Sequence, residues 1–275
     1  MRTARALLAT CHPLPSVAVT GFITGYALTV GLPPARALLV AAAVLAGQLG
    51  IGWCNDAVDA GRDSSAGRRD KPLAQAAISR PTVAIAAGLA FVACVPLSLA
   101  LGPVPGAVHL VAVVAGWAYD LWLKGTRASG VPYLVAFGLL PAVATQALPE
   151  PVWPAPGVVA GAALLGLAAH FANTVGDTAA DAATGVRGLP QRIGPRASLV
   201  ATAVLVAAAA GVLAAGAPAR GPLALTVLGL GAVLAGAGAL LGASRGTWAA
   251  GGGRAAFRLT LIAVALVITG FLLAD

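Results

Sequence analysis

The sequence predicts an all-α fold, a polytopic membrane bundle of about nine transmembrane helices. Three observations predict it. Charged side chains make up only 9% of 275 residues and the mean hydropathy is +0.90, whereas a soluble domain carries about 25% charged residues. The apolar residues fall into nine runs, each near the roughly 20 residues that a membrane-crossing helix needs. The basic residues fall almost entirely on alternate connections between those runs.

The runs lie near residues 14–32, 36–55, 80–101, 103–121, 130–149, 156–176, 197–217, 221–243 and 255–273. Backbone that faces lipid must satisfy its own hydrogen bonds, so each run is expected to be helical. Short Gly/Pro turns at Gly102-Pro103 and around 217–221 separate two pairs of runs. Arg2 and Arg5 precede the first run without a small-residue cleavage site, so no removable signal peptide is expected. Small residues, as in 229–242, permit close helix approach. Trp53, Trp117 and Trp122 sit at run ends, where interfacial aromatics belong.

Fifteen of the seventeen basic residues lie at the N-terminus or on connections after the second, fourth, sixth and eighth runs; only Arg36 and Arg220 lie opposite. The positive-inside rule then puts the N-terminus and those connections in the cytoplasm, and the expected location is a multi-pass protein of the cell inner (plasma) membrane. The net charge of +8 therefore reports topology and contact with anionic lipid or diphosphate, not nucleic acid. Cys11, Cys54 and Cys94 have no metal-ligand or disulfide spacing. No protein partner is implied.

Residues 55–72 concentrate the chemistry, with four of the nine carboxylates and four basic side chains. Asn55, Asp59 and Asp63 are spaced i, i+4, i+8, and Asp56 joins Asp59 at i+3, so a helix presents them on one face. Carboxylates that close repel by roughly 1–4 kcal/mol per pair at surface-like dielectric, so something cationic must compensate. The segment also recurs. Asn55, Asp59, Asp63, Gly67, Arg69 and Pro72 reappear as Asn173, Asp177, Asp181, Gly185, Arg187 and Pro190, every pair 118 residues apart. A single domain over 1–275 is expected, with pseudo-repeats at about 14–121 and 130–243 and an extra ninth helix near 255–273. An offset of four helices preserves direction, so both acidic segments are expected on one membrane face, able to meet over one cavity.

Clustered carboxylate oxygens suit a hard cation such as Mg²⁺, which takes one or two carboxylates plus phosphate oxygens. Arg and Lys nearby can grip the same phosphates. The constellation thus reads as a site for a Mg²⁺-bridged diphosphate above an apolar bundle that holds a lipid tail. His170 lies three residues before Asn173 on the motif face, and an intramembrane His is a functional candidate; the alternative is a structural bond to a neighbouring helix. Asp120 is expected to pair with Lys124 at i+4 or to take a proton from an acceptor.

Asn55-Asp56-x-x-Asp59-x-x-x-Asp63, followed by Arg68, Arg69, Lys71 and Pro72, resembles the first signature of the UbiA superfamily of intramembrane prenyltransferases. Asp177-x-x-x-Asp181-x-x-x-Gly185, with Leu189-Pro190 and Gly194, resembles its second, and Tyr119 through Lys124 resembles its Tyr-x-x-x-x-Lys segment. The resemblance covers nearly the whole chain. It implies a Mg²⁺-dependent transferase that ionises a polyprenyl diphosphate and passes the prenyl group to an acceptor, an aromatic one among the candidates. It implies metal ligands Asp56, Asp59, Asp63, Asp177 and Asp181, diphosphate contacts from Asn55, Arg68, Arg69, Lys71, Lys124, Asn173 and Arg187, and catalytic roles for Tyr119, Lys124, Asp177 and His170. Arg68 and Arg69 are equal candidates for the phosphate clamp. Three departures stand out: Lys71 where Arg is more frequent before Pro, Gly185 where some members have a third Asp, and Cys11-His12-Pro13 where many have Arg or Lys before Pro. A terpene cyclase of the same superfamily would use the same diphosphate site without an acceptor. A cation-coupled transporter would instead carry its acids near mid-span at a repeat interface.

Overall fold

The structure is a computed structural model that describes residues 2–65, 67, 71–175, 181, 185–216, 221–244 and 252–273. Its elements, in order, are α1 (Arg2–Ala9), α2 (Pro13–Thr29), α3 (Pro34–Ser65), α4 (Arg80–Leu99), α5 (Pro103–Ala118) extended by a π-helical turn (Tyr119–Leu123), α6 (Val131–Gln146), α7 (Pro156–Val175), α8 (Leu189–Ile193), α9 (Pro195–Ala215), α10 (Pro222–Ser244) and α11 (Gly252–Leu272). Among the described residues there is no strand, as the all-α expectation requires.

Among the described residues six helices are long and apolar enough to cross a membrane: Pro34–Ser65, Arg80–Leu99, Pro103–Leu123, Pro156–Val175, Pro195–Ala215 and Pro222–Leu240. The α1–α2 pair passes the same test jointly but bends by 64° at its break. Shorter apolar helices at Val131–Gln146 and Leu259–Leu272 coincide with the fifth and ninth predicted runs. Large apolar side chains such as Leu38, Ile85, Val204 and Leu240 are exposed on helix flanks, the surface that a lipid solvent favours. Six helices begin on proline, whose missing N–H falls where a first-turn amide has no helical partner.

The chain divides into two compact units. Unit 1 is Met1–Lys124 with Leu139–Trp153, and unit 2 is Gly125–Gly138 with Pro154–Asp275. In unit 1, Ala27, Ala37, Val40, Ala43, Val44, Leu101 and Val143 form the core. A buried polar chain crosses it. Ser98 Oγ donates back to Cys94 O at 2.6 Å and lies 2.7 Å from His109 Nδ1, which satisfies His109 inside the bundle. In unit 2, α7, α9, α10 and α11 bury Leu165, Val206, Ala209, Leu228, Ala263 and Val267.

Two features of unit 1 were not visible as hydropathy. α3 runs 32 residues, past the apolar stretch and through the acid motif to Ser65, so Asn55, Asp56, Asp59 and Asp63 stand on helix rather than loop. The α1–α2 break is an elbow clamped onto α3. His12 adopts left-handed backbone (φ 52°, ψ 63°), costly for a residue with a Cβ. Ser16 Oγ donates to Cys11 O at 3.0 Å and Trp53 Nε1 donates to Leu7 O at 2.9 Å. Gly52 lets the two backbones touch: a Cβ there would lie 2.4 Å from Cys11 O and 2.7 Å from Cys11 C.

Candidate functional site

The last turns of α3 carry the acid motif of unit 1, and the side chains that meet its carboxylates come from four separate places. Asp56 is 1% exposed. Its Oδ1 accepts from Lys71 Nζ at 2.6 Å and meets His12 Nε2 at 3.0 Å. Lys71 arrives on the connection after α3, and His12 arrives on the elbow, its side chain 39% exposed above the buried carboxylate. Asp59, also buried, accepts from Arg62 at i+3 and from Lys124 at the end of the π-turn. Asp63 is half-buried in the last turns of α3.

The π-turn leads into Lys124. Within it Lys124 N bonds Tyr119 O at 2.9 Å, an i→i+5 bond. The expected Asp120–Lys124 bond is not made; Lys124 goes to Asp59. Asp120 Oδ1 instead accepts from Asn55 Nδ2 at 2.8 Å. Tyr119 and Asp120 are both buried, while Leu121 and Trp122 are exposed.

In unit 2 the sequence candidates separate. His170 is 1% exposed. Its Nε2 lies 3.0 Å from Ser129 Oγ, which also accepts from Leu189 N at 2.9 Å. Tyr133 packs on the imidazole with ring centroids 4.8 Å apart. His170 thus ties the segments before α6 and at the start of α8 to α7, which is the structural alternative considered for it. Asn173 points elsewhere: it is exposed, between buried Ala172 and Thr174. Asp181 Oδ2 accepts from Gln191 Nε2 at 2.7 Å. Arg187 is exposed and its carbonyl accepts from Arg192 Nε at 2.7 Å; Arg187, Arg192 and Arg127 line a surface pocket with Gln191, Val186 and Leu189. Arg68, Arg69 and Asp177 lie outside the described residues. Ser129→Ala should remove two hydrogen-bond partners at once. About 1–3 kcal/mol of stability is expected to go, read as a lower unfolding temperature of the detergent-solubilised protein.

The oxygen set of unit 1, Asn55, Asp59, Asp63 and Asp120, suits a hard divalent cation, and one buried oxygen, Asp120 Oδ2, has no hydrogen-bond partner among the described residues. Among those residues no three His, Cys or acidic side chains converge into a closed cage. An oxygen set of this kind fits Mg²⁺, which completes its shell with water and substrate oxygens. His12 is the site residue that sequence reasoning passed over. Its signal was the unusual Cys11-His12-Pro13, and its contact lies 44 residues away in sequence.

Fold and site together define a multi-pass helical membrane protein with a buried cluster of carboxylates and cations at its helix ends. The chain matches the UbiA prenyltransferase family over residues 16–261 and belongs to it. Solved structures share the fold. The apo structure of a UbiA homologue from Aeropyrum pernix K1 aligns with a TM-score of 0.72 at 18% identity, covering 98% of each chain. A UbiA homologue from Archaeoglobus fulgidus bound to GPP and Mg²⁺ aligns at 0.65 and 17% identity, over 98% of this chain and 99% of that one. A structure described for digeranylgeranylglyceryl phosphate synthase aligns at 0.68 and 17% identity, over 99% of both. No curated protein matches the chain in sequence. The elbow at His12 lies before the matched residues.

Proposed function

We propose that the chain is a Mg²⁺-dependent intramembrane prenyltransferase that ionises a polyprenyl diphosphate and transfers the prenyl group to an acceptor. One observation carries this reading: the α3 acid motif is buried with two lysines already in hand, Lys71 on Asp56 and Lys124 on Asp59. A solvated loop of charges would not desolvate them at such cost. Family membership and the GPP- and Mg²⁺-bound homologue support the same chemistry.

In the proposed mechanism Asn55, Asp56, Asp59 and Asp63 would form the first metal–diphosphate site, and Asp177 and Asp181 would keep the metal role that the family resemblance implies. Bound Mg²⁺ would act as a Lewis acid on the phosphate oxygens. Lys71 and Lys124 exchange their carboxylate partners for phosphate oxygens and stabilise the charge that develops on the leaving group. The resemblance gives Arg187 and one of Arg68 or Arg69 diphosphate contacts, which would offset that charge. The C–O bond to the allylic carbon breaks, the diphosphate departs with the electron pair, and Tyr119 lines the pocket beside the resulting cation. The acceptor attacks that carbon and gives up a proton. In the metal-free chain Asp56 Oδ1 holds His12 and Lys71. His170, which meets Ser129 Oγ, keeps the catalytic role and Asn173 the diphosphate contact that the resemblance implies. The protein would sit in the inner membrane with its N-terminus cytoplasmic.

The test uses the purified full chain in lipid nanodiscs with geranylgeranyl diphosphate and Mg²⁺, with and without a panel of acceptors including aromatic acids. Diphosphate release that requires an acceptor, with a prenylated product by mass, is the expected result. A cyclic hydrocarbon or alcohol formed without acceptor would replace the transferase with a cyclase.

A further inference from the structure

Neither acid motif contains Asp120, yet it is the most deeply enclosed oxygen donor beside the α3 site apart from Asp56. It is 4% exposed. The turn that carries it is the only π-helical element among the described residues, and such turns concentrate at functional sites. Its two oxygens differ. Oδ1 accepts from Asn55 Nδ2 at 2.8 Å. Oδ2 is buried without a hydrogen-bond partner among the described residues. The basic side chains nearby are engaged: Lys124 and Arg62 both lie on Asp59, and Lys71 lies on Asp56.

A buried carboxylate oxygen left without a donor costs several kcal/mol at the upper end of measured cases. Native proteins leave few such atoms, and those that persist call for an absent partner. The missing partner has to be a donor small enough to enter a buried gap. It must also appear when the site is loaded. A water molecule polarised by a divalent cation meets both conditions, because Mg²⁺ keeps several of its waters when bound. The other oxygen of Asp120 has a complementary task. By receiving the Asn55 amide N–H it fixes which end of that amide is the donor, and it leaves Asn55 Oδ1 as the acceptor for the cation or its water. Outer residues that orient ligands in this way change metal affinity about 10–100-fold.

We propose that Asp120 is a positioning residue of the first cation site: Oδ1 orients Asn55, and Oδ2 receives a hydrogen bond from a water carried by the bound divalent cation. This rests on the metal-dependent reading above, but it concerns a residue outside the acid signatures. It also explains why Asp120 does not take Lys124, which is spent on the neighbouring acid.

The experiment is an electron paramagnetic resonance titration with Mn²⁺ in the presence of inorganic pyrophosphate, on the full detergent-solubilised chain, with metal-free unfolding temperatures measured in parallel. Asp120→Asn should weaken Mn²⁺ binding about 10–100-fold while the metal-free unfolding temperature stays near wild type. Should Asp120→Asn fail to fold, Asp120→Leu carries the same test, because it removes the unpartnered oxygen and its desolvation cost together. Mn²⁺ binding at wild-type affinity in a folded variant overturns the proposal. If the wild-type chain itself binds no Mn²⁺ with pyrophosphate, the metal-dependent reading falls too; intact wild-type binding with an unaffected variant removes the Asp120 proposal alone.

Discussion

Asp59→Ala should lower diphosphate release by at least about 10²–10³-fold, the cost of losing one well-placed electrostatic contact in an enzyme site. Asp59 does two things at once. In the metal-free chain it neutralises Arg62 and Lys124, which come from the same helix and from the π-turn 65 residues away. In the proposed loaded site it would be a cation ligand, and its release of Lys124 would free that lysine for phosphate. The alanine variant leaves two cations facing each other with no acid between them, which should also cost about 1–3 kcal/mol of stability. Asp59→Asn separates the two effects, since the amide preserves shape and one acceptor oxygen. Pyrophosphate release by the purified variants in nanodiscs is the measurement, and wild-type turnover in either variant would remove Asp59 from the site.

The second large effect is expected at a residue with no side chain. Gly52→Val places a Cβ 2.4 Å from Cys11 O, against backbone that cannot rotate aside as a side chain could. Overpacking of this kind typically costs about 1–3 kcal/mol, occasionally more. Here the strain falls on the elbow that presents His12 to Asp56. The variant should therefore unfold at lower temperature and show a raised KM for diphosphate. Gly88→Ala is the control, because a Cβ at Gly88 meets nothing within 4 Å and a mid-helix alanine favours the helix by up to about 1 kcal/mol. Equal unfolding temperatures for Gly52→Val and wild type would show that the elbow is not held by close backbone contact.

The helices were legible because lipid leaves the chain few options. Apolar runs of the required length must be helical, and the Gly102-Pro103 division is where α4 and α5 part. The one-face arrangement of the α3 acids followed from spacing alone. Their counter-ions did not. His12 meets Asp56 across 44 residues and Lys124 meets Asp59 across 65, and no local periodicity encodes such pairings. The expected Asp120–Lys124 bond failed for a different reason. It assumed α-helical period at 119–123, where the backbone winds as a π-turn. His170 and Asn173, assigned to one face by their spacing of three, separate because burial on α7 is decided by neighbours before α6 and at α8.

The π-turn also gives meaning to a number in the sequence. Tyr119 and Lys124 are separated by four residues, a spacing that an ordinary α-helix would leave well apart around its axis. The π-turn closes this interval with an i→i+5 backbone bond, Lys124 N to Tyr119 O at 2.9 Å. Loss of one residue between them would remove that bond and return the segment to ordinary α-helical pitch. The length of the interval is therefore held by the backbone as well as by a side chain inside it, Asp120.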